Sequence, residues 1–130
     1  VLGTNNADYL TIATQGYGVG NYYCDACDTA NAKEIFDRVM AGKTKPGDVL
    51  RVARLYREAG EWERAKPLFE SVIQMAPEDE DWLAEIGGWF LLAGDRARAE
   101  ELFGRSLQLD PSNLYNTLRM AGAYLGVEPG

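Results

Sequence analysis

The sequence predicts an all-α fold, a short α-solenoid of antiparallel helix pairs preceded by an extended, β-like N-terminal segment. The first observation behind this prediction is a stretch that occurs twice, since residues 60–77 and 94–111 align at a shift of 34 positions, which we call the repeat period. A fixed period of this length is typical of helical repeat proteins. The second is a series of amphipathic stretches with helix caps, and the third is a change of composition at residue 28. The two copies share Gly60/Gly94, Arg64/Arg98, Ala65/Ala99, Leu68/Leu102, Phe69/Phe103, Gln74/Gln108 and Pro77/Pro111.

The composition and the charge narrow the functional classes. Of the 130 residues, 46% are apolar and 25% charged, which is usual for soluble globular proteins and allows one compact domain. The formal net charge of −7 argues against nucleic acid and anionic lipid as partners, because both attract basic patches. No apolar run approaches the length of about 20 residues that a membrane span needs. The chain has no histidine, the commonest general base and metal ligand, and we predict no catalytic residue, cofactor or metal.

Residues 1–28 differ in character from the rest of the chain. They contain no lysine or arginine, but four of the seven tyrosines. Leu10 and Ile12 fall on one face of the β-branched residues 9–14, which predicts an extended or strand-like piece. Glycines at alternate positions from 16 to 20 then interrupt this pattern. An isolated hairpin is only marginally stable in water, so the segment requires a surface on which to lie.

Helices are predicted after residue 28, because apolar residues recur there at helical spacing between capping residues. Asp28 or Thr29 can cap the first helix, and Gly42 can end it. The predicted helices run from Thr29 to Ala41, Asp48 to Ala59, Trp62 to Met75, Asp79 to Ala93 and Arg96 to Leu109, and from a cap at Ser112 or Asn113 to Leu125. We therefore divide the chain into the extended segment 1–28, a capping helix with its loop at 29–45, and the solenoid at 46–130.

Residues 46–126 carry one pattern about two and a half times. Tyr56, Phe90 and Tyr124 occupy the same place in three first helices, each one repeat period after the last. In the second helices an alanine, an aromatic residue and a closing proline recur. With these positions the region resembles the tetratricopeptide repeat (TPR) family. It departs from the family pattern by lacking tryptophan at the large first-helix position and by ending the third copy after one helix.

The first predicted helix is open to two interpretations. Its residues Ala32, Phe36 and Val39 match the spacing of a second-helix pattern, slightly offset against the period. The helix is either a degenerate half repeat that caps the solenoid or an unrelated amphipathic helix that packs on its end.

The resemblance implies that the first helices line a concave groove, the usual place for a bound peptide in this family. Glycine inside a helix costs about 0.5–1 kcal/mol relative to alanine, so Gly88 and Gly122 indicate either close backbone approach or tolerated helical glycines. Only Arg54 and Arg57 could clamp a C-terminal carboxylate, which disfavours a receptor for chaperone tails. The positions implied for the groove are Leu50, Arg54, Arg57, Ala84, Gly88, Leu91, Leu92, Leu118, Gly122 and Leu125.

An exposed apolar groove requires a cover. The candidate cover is the segment 1–28, which could fold back on its own solenoid or reach a neighbouring copy in a head-to-tail contact. The side chains predicted to dock are Tyr9, Leu10, Ile12, Tyr17, Tyr22 and Tyr23.

Cys24 and Cys27 form the one motif with reactive potential. A thioredoxin-like site needs a βαβ context, and a haem-attachment motif needs histidine where Asp28 stands. A structural zinc site needs four ligands, of which this motif supplies two. A disulfide between the two cysteines is the leading interpretation; two buried free thiols and a zinc site shared with a second subunit are the alternatives.

The sequence favours a non-enzymatic protein–protein interaction module that acts as a self-assembling structural subunit, in a ring or an extracellular filament. Its partners would be other copies of itself. The alternative is a monomeric adaptor that binds a peptide of another protein, and a redox or metal protein built on the two cysteines is disfavoured. The start at Val1 and the oxidisable cysteine pair predict a secreted, extracellular or periplasmic protein, with the cytoplasm as the alternative.

Overall fold

The computed structural model describes residues 27–42 and 44–130, and in these residues the chain is entirely helical. There is no strand in this part, and the predicted extended segment falls almost wholly outside it. The helices are α1 (Thr29–Ala41), α2 (Pro46–Glu58), α3 (Trp62–Met75), α4 (Glu80–Leu92), α5 (Arg96–Leu109) and α6 (Leu114–Tyr124).

The helix bounds agree with the sequence prediction for α1, α3 and α5 and differ by one or two positions for the others. The largest difference is at α2, which begins at Pro46 rather than at Asp48. Proline is well suited to the first turn of a helix, because its fixed φ angle is helical and its missing N–H has no intrahelical partner there. The predicted helix began two residues after this proline.

Side-chain caps begin four of the helices. The carboxylate or amide oxygens of Asp28, Asp79, Asp95 and Asn113 each accept a hydrogen bond from the backbone N–H three positions further on. Such caps satisfy backbone donors that have no partner within the helix, and each stabilises its helix by about 1 kcal/mol. The caps on α1, α4, α5 and α6 therefore fix where these helices begin.

We call the first helix of each repeat a first-type helix and the second helix a second-type helix. A glycine in the left-handed conformation follows each of the three first-type helices, which are α2, α4 and α6. The φ angles are 81° at Gly60, 95° at Gly94 and 87° at Gly126. L-residues with a side chain rarely adopt this conformation, so glycine is required at each turn. Gly60 and Gly94 turn the chain into the second helix of a pair.

The chain divides into two compact units, of which the first ends at Ser71. In this unit one face of α2 is buried, at Val49, Val52, Ala53 and Tyr56. Helix α1 packs on α2, and the ring of Phe36 meets the ring of Tyr56 edge-on, with centroids 4.9 Å apart.

The second unit spans Val72–Gly130, and α4 packs there against both α5 and α6. Phe103 of α5 is in one buried cluster with Ala84 of α4 and with Met120 and Ala123 of α6. Gly87 makes room for this ring, because a Cβ atom at that position would lie 2.6 Å from Cε1 of Phe103. Phe103 of α5 therefore packs with residues of both first-type helices of the unit.

Candidate protein-binding groove

The groove that the structure describes most fully lies between α4 and α6, in the second compact unit. Gly88 of α4 and Gly122 of α6 occupy the same place in consecutive repeats, one repeat period apart. Both glycines are helical and face the last residues of the sequence. We call residues 126–130 the tail.

The tail enters this groove at the left-handed turn of Gly126. The N–H of Gly126 donates to the carbonyl of Ala123 at 3.0 Å, and the N–H of Val127 donates to the carbonyl of Gly122 at 2.9 Å. These bonds close α6 and direct the chain back along the helix. A Cβ atom on Gly122 would lie 3.5 Å from Cβ of Val127, which is an ordinary van der Waals contact.

Pro129 is the residue of the tail that fills the groove. It is buried, and its ring lies so close to α4 that a Cβ atom on Gly88 would be 2.8 Å from Cγ of Pro129. The predicted close backbone approach at Gly88 is therefore present, and a segment of the same chain makes it.

Polar side chains at the N-terminal end of α6 complete the surroundings of the tail. The hydroxyl of Tyr115 donates to the carbonyl oxygen of Gly130 at 3.4 Å. Arg119 donates to this hydroxyl at 3.1 Å and to the backbone carbonyl of Asp81 at 2.9 Å. The buried amide of Asn116 donates to the carboxylate of Asp81 at 2.8 Å. These bonds tie α6 to the start of α4 and hold Tyr115 beside the tail.

The structure brings together some of the predicted groove residues and separates others. Ala84 and Gly88 are buried, and Leu91, Leu92 and Gly122 are half-buried. In the first compact unit Leu50 is buried, Arg57 is half-buried and Arg54 is exposed. Leu118 and Leu125 are exposed, at 61% and 83% of their surface.

Leu118 and Leu125 belong to an apolar stripe on the outer face of α6. At about 100° per residue, Leu118 points about 160° away from the buried residues Asn116 and Met120. The stripe consists of Leu114, Leu118, Ala121 and Leu125, spaced three or four positions apart, and all four are exposed. We call these four residues the outer stripe. It is the face that would be buried if another helix followed.

The contact between α5 and α6 also perturbs two ionisable groups. The hydroxyl of Tyr124 donates to the carboxylate of Glu100, which also accepts from Arg96. The bond from Tyr124, followed by the bond from Arg96, lowers the pKa of the Glu100 carboxyl, while the same bond to Glu100 raises the pKa of Tyr124. Both groups are at the surface, so we assign them a structural role.

The remaining predicted sites lie mostly outside the described residues. This holds for the docking side chains Tyr9, Leu10, Ile12, Tyr17, Tyr22 and Tyr23 and for Cys24. Cys27 is disulfide-bonded, and its pairing with Cys24 stays a prediction. Among residues 27–42 and 44–130 there is no cluster of three carboxylate or cysteine side chains that could hold a metal ion. No helix in these ranges is long and apolar enough to cross a membrane.

Sequence reasoning missed the tail as an occupant of the groove. One signal was present: Gly60 and Gly94 are one repeat period apart, whereas Gly126 comes two positions earlier than the same period would place it. At this earlier turn the chain enters the tail, whereas after Gly60 and Gly94 it enters a second-type helix. The outer stripe was also readable, as leucines at positions 114, 118 and 125.

Comparison with known proteins supports the repeat pattern. Residues 49–81, which comprise most of α2, all of α3 and the start of α4, match the family model of the tetratricopeptide repeat. Searches of the curated proteins and of the solved structures find no match. The match agrees with helices that pack in adjacent pairs and with equivalent positions that recur at the repeat period. The chain therefore contains a tetratricopeptide-like repeat region, a kind of region that serves as a protein–protein interaction module.

Proposed function

We propose that the protein is a structural subunit that assembles with copies of itself. The observation that carries this proposal is the outer stripe of α6, with Leu114, Leu118 and Leu125 at 68%, 61% and 83% exposure. Helical repeat proteins need a terminal helix with a polar outer face to stay soluble, because each repeat otherwise presents an uncovered apolar face. The outer face of α6 lacks such a polar surface, which favours a subunit whose α6 face is covered in an assembly.

The free energy gained by burying the outer stripe favours assembly over a stripe that stays exposed to solvent. Burying a leucine side chain stabilises a protein by about 1.5–3 kcal/mol. Three leucines and an alanine on one face therefore provide several kcal/mol for association, and a single scattered leucine would not. The protein would act without catalysis, as a building block of a ring or filament.

The segment 1–28 supplies the second contact in this proposal. It precedes the capping helix and loop at 29–45 and the repeat region at 46–130, and we propose that it docks on a neighbouring copy. The groove at Gly88 and Gly122 already holds the tail, so the segment would dock beside the tail or displace it. An exported, extracellular location is part of this proposal, because it would favour an oxidised cysteine pair.

Sedimentation velocity of the complete chain from about 1 to 100 μM tests the proposal. We expect the sedimentation coefficient to rise with concentration, because the outer stripe and the docking segment become buried on assembly. In a variant with Leu10 and Ile12 both changed to aspartate, we expect assembly to shift to at least about tenfold higher concentration, since two charges would enter an apolar contact.

The matched control for this variant changes Thr11 and Ala13 to aspartate. These residues carry the same added charge on the opposite face of the predicted extended piece. Wild-type chain that stays monomeric at the highest concentration would refute self-assembly. If the two double variants assemble equally, the segment 1–28 does not dock on a neighbouring copy through Leu10 and Ile12.

A second candidate is a monomeric adaptor that binds an extended peptide of another protein. The observation that favours it is the tail itself, since the groove between α4 and α6 accepts an extended segment with a proline against Gly88. A proline-containing peptide loses little conformational entropy on binding in this form. The tail would then occupy the site in the absence of a ligand.

Replacing Pro129 by aspartate in the complete chain tests the adaptor. The charge should expel the tail from the groove, because a carboxylate has no partner against the backbone of Gly88. A fluorescent peptide containing Val-Glu-Pro-Gly should then bind at least about tenfold more tightly to this variant than to wild type, as measured by fluorescence anisotropy. Leu107→Asp, which adds the same charge at an exposed leucine of α5 and retains the proline, serves as the comparison. Equal binding of the peptide to wild type and to Pro129→Asp would contradict the adaptor.

A further inference from the structure

We propose that the outer stripe of α6 is covered by α1 and α2 of a second copy, in a head-to-tail junction that reproduces between chains the packing of α4 on α6. This inference rests on the proposed self-assembly and names the contact through which it occurs. It follows from apolar faces that are exposed on α6 and on α1 and α2, and from an equivalent contact within the chain.

Helix α6 is a first-type helix whose outer face is exposed. Its place in the repeat is shown by Tyr124, which follows Phe90 by one repeat period, and by its packing on α4. After Tyr124 the chain turns at Gly126 into the tail, so none of its described residues forms the helix that would pair with α6.

Helix α1 resembles a second-type helix. Its ring of Phe36 packs on Tyr56 of α2 with centroids 4.9 Å apart. The second-type helix α5 likewise places Phe103 on Tyr124 of α6, with centroids 6.0 Å apart. This shared aromatic contact favours the half-repeat interpretation of α1 over an unrelated helix.

Helix α1 leaves exposed the face that a first-type partner would bury. Ile35 precedes Phe36 as Leu102 precedes Phe103, so the two aliphatic residues are equivalent. Leu102 is fully buried, in the unit where the first-type helix α4 packs on α5, whereas Ile35 is 59% exposed.

Helix α2 also has an exposed apolar residue whose equivalent in the second unit is buried. Leu55 is equivalent to Ala123 of α6, which comes two repeat periods later. Ala123 is buried in a cluster with Ala84 of the preceding first-type helix, while Leu55 is 53% exposed. Ile35 and Leu55 are therefore apolar residues on α1 and α2 that equivalent positions of the second unit bury.

The outer stripe provides the matching surface. Leu118 is equivalent to Ala84, and Leu125 is equivalent to Leu91, each one repeat period later. Ala84 and Leu91 pack against the buried cluster that includes Ala123 of α6. A second copy that places its Leu55 near Leu118 would reproduce between chains the contact that α4 and α6 make within one chain.

The junction is heterologous, because the two surfaces are different. Such a contact repeats from copy to copy and produces a closed ring or an open filament, according to the rotation between copies. The segment 1–28 comes immediately before α1 in the sequence. When α1 lies on a neighbouring copy, the segment is therefore joined to a helix at that neighbour's surface.

Two single variants of the complete chain test the junction, one on each surface. Leu118→Asp and Leu55→Asp each place a carboxylate in an apolar contact, so each variant alone should assemble at least about 100-fold more weakly than wild type. An equimolar mixture should form dimers and nothing larger, because one intact surface remains on each chain. Mass photometry and sedimentation velocity distinguish monomer, dimer and longer assemblies.

Leu107→Asp is the matched control, since it adds the same charge at an exposed leucine of α5 that the junction does not use. It should assemble like wild type, and the circular dichroism spectra of all three variants should match that of wild type.

Each of the other outcomes overturns the junction in an identifiable way. If wild type assembles and Leu118→Asp assembles equally well, the junction is wrong while self-assembly stands. If the mixture of the two variants stays monomeric, the two surfaces do not face each other. If wild type is monomeric throughout, both the junction and the proposed function are wrong.

Discussion

Replacing Phe103 by alanine should lower the free energy of unfolding by about 3–5 kcal/mol, the usual cost of removing a buried phenylalanine ring from a packed core. The ring is only 5% exposed and is in one cluster with Ala84, Met120 and Ala123. Gly87 faces it so closely that no side chain fits there. The small neighbours Gly87 and Ala84 cannot expand to fill the space that the ring leaves.

The consequence extends to the groove, because Phe103 connects α4 and α6 and the tail lies across the same two helices. Urea unfolding followed by circular dichroism measures the loss, and Leu107→Ala on the same helix is the control at an exposed site. That control should cost about 0.5 kcal/mol or less. A loss of less than about 1 kcal/mol for Phe103→Ala would mean that the ring does not support the second unit.

Gly88→Ala should expel the tail from the groove, whereas Gly122→Ala should leave it in place. The two glycines are equivalent in consecutive repeats, so both substitutions should raise helix propensity by up to about 1 kcal/mol. They differ in what the new methyl group meets. At Gly88 it would lie 2.8 Å from Cγ of Pro129, and at Gly122 it would lie 3.5 Å from Cβ of Val127.

The distance of 2.8 Å at Gly88 is a steric overlap, and the distance of 3.5 Å at Gly122 is an ordinary van der Waals contact. Overpacking of this kind costs about 1–3 kcal/mol, which shifts the equilibrium between bound and free tail by about one to two powers of ten. The amide resonances of Val127 and Gly130 report this shift by NMR. Both should move towards random-coil positions in Gly88→Ala and stay near wild type in Gly122→Ala. Wild-type resonances in both variants would show that binding of the tail does not require position 88 to be without a side chain.

The tail bears on both candidate functions. For the adaptor, it occupies the site that a peptide of another protein would use. For the self-assembling subunit, it occupies part of the surface on which the segment 1–28 of a neighbour was predicted to dock. Gly88→Ala therefore separates the two functions, since its methyl group should exclude a proline-containing peptide as it excludes the tail, which weakens the adaptor, and leave the Leu118–Leu55 junction unaffected.

The sequence by itself determined the helices and the repeat. Asp28 and Asn113 were each readable as one of two adjacent candidate caps, because a cap is a local interaction, made by a side chain with a backbone N–H three positions away. The structure decided for these two residues over Thr29 and Ser112. The repeat period was readable because each repeat buries the same positions, such as Phe69 and Phe103. The start of α2 was misplaced, at a proline that is compatible with either a loop or a first helical turn.

The tertiary structure decided which groove residues are covered, and by what. The same pattern of apolar and small residues placed Gly88 and Leu118 in one groove, yet Gly88 lies under Pro129 and Leu118 is exposed on the outer stripe. Helical periodicity gives the direction of a side chain on its own helix, but not whether another element lies there. That depends on contacts between distant parts of the chain: Pro129 meets Gly88 from the far end of the repeat region, and no local pattern specifies such a pair.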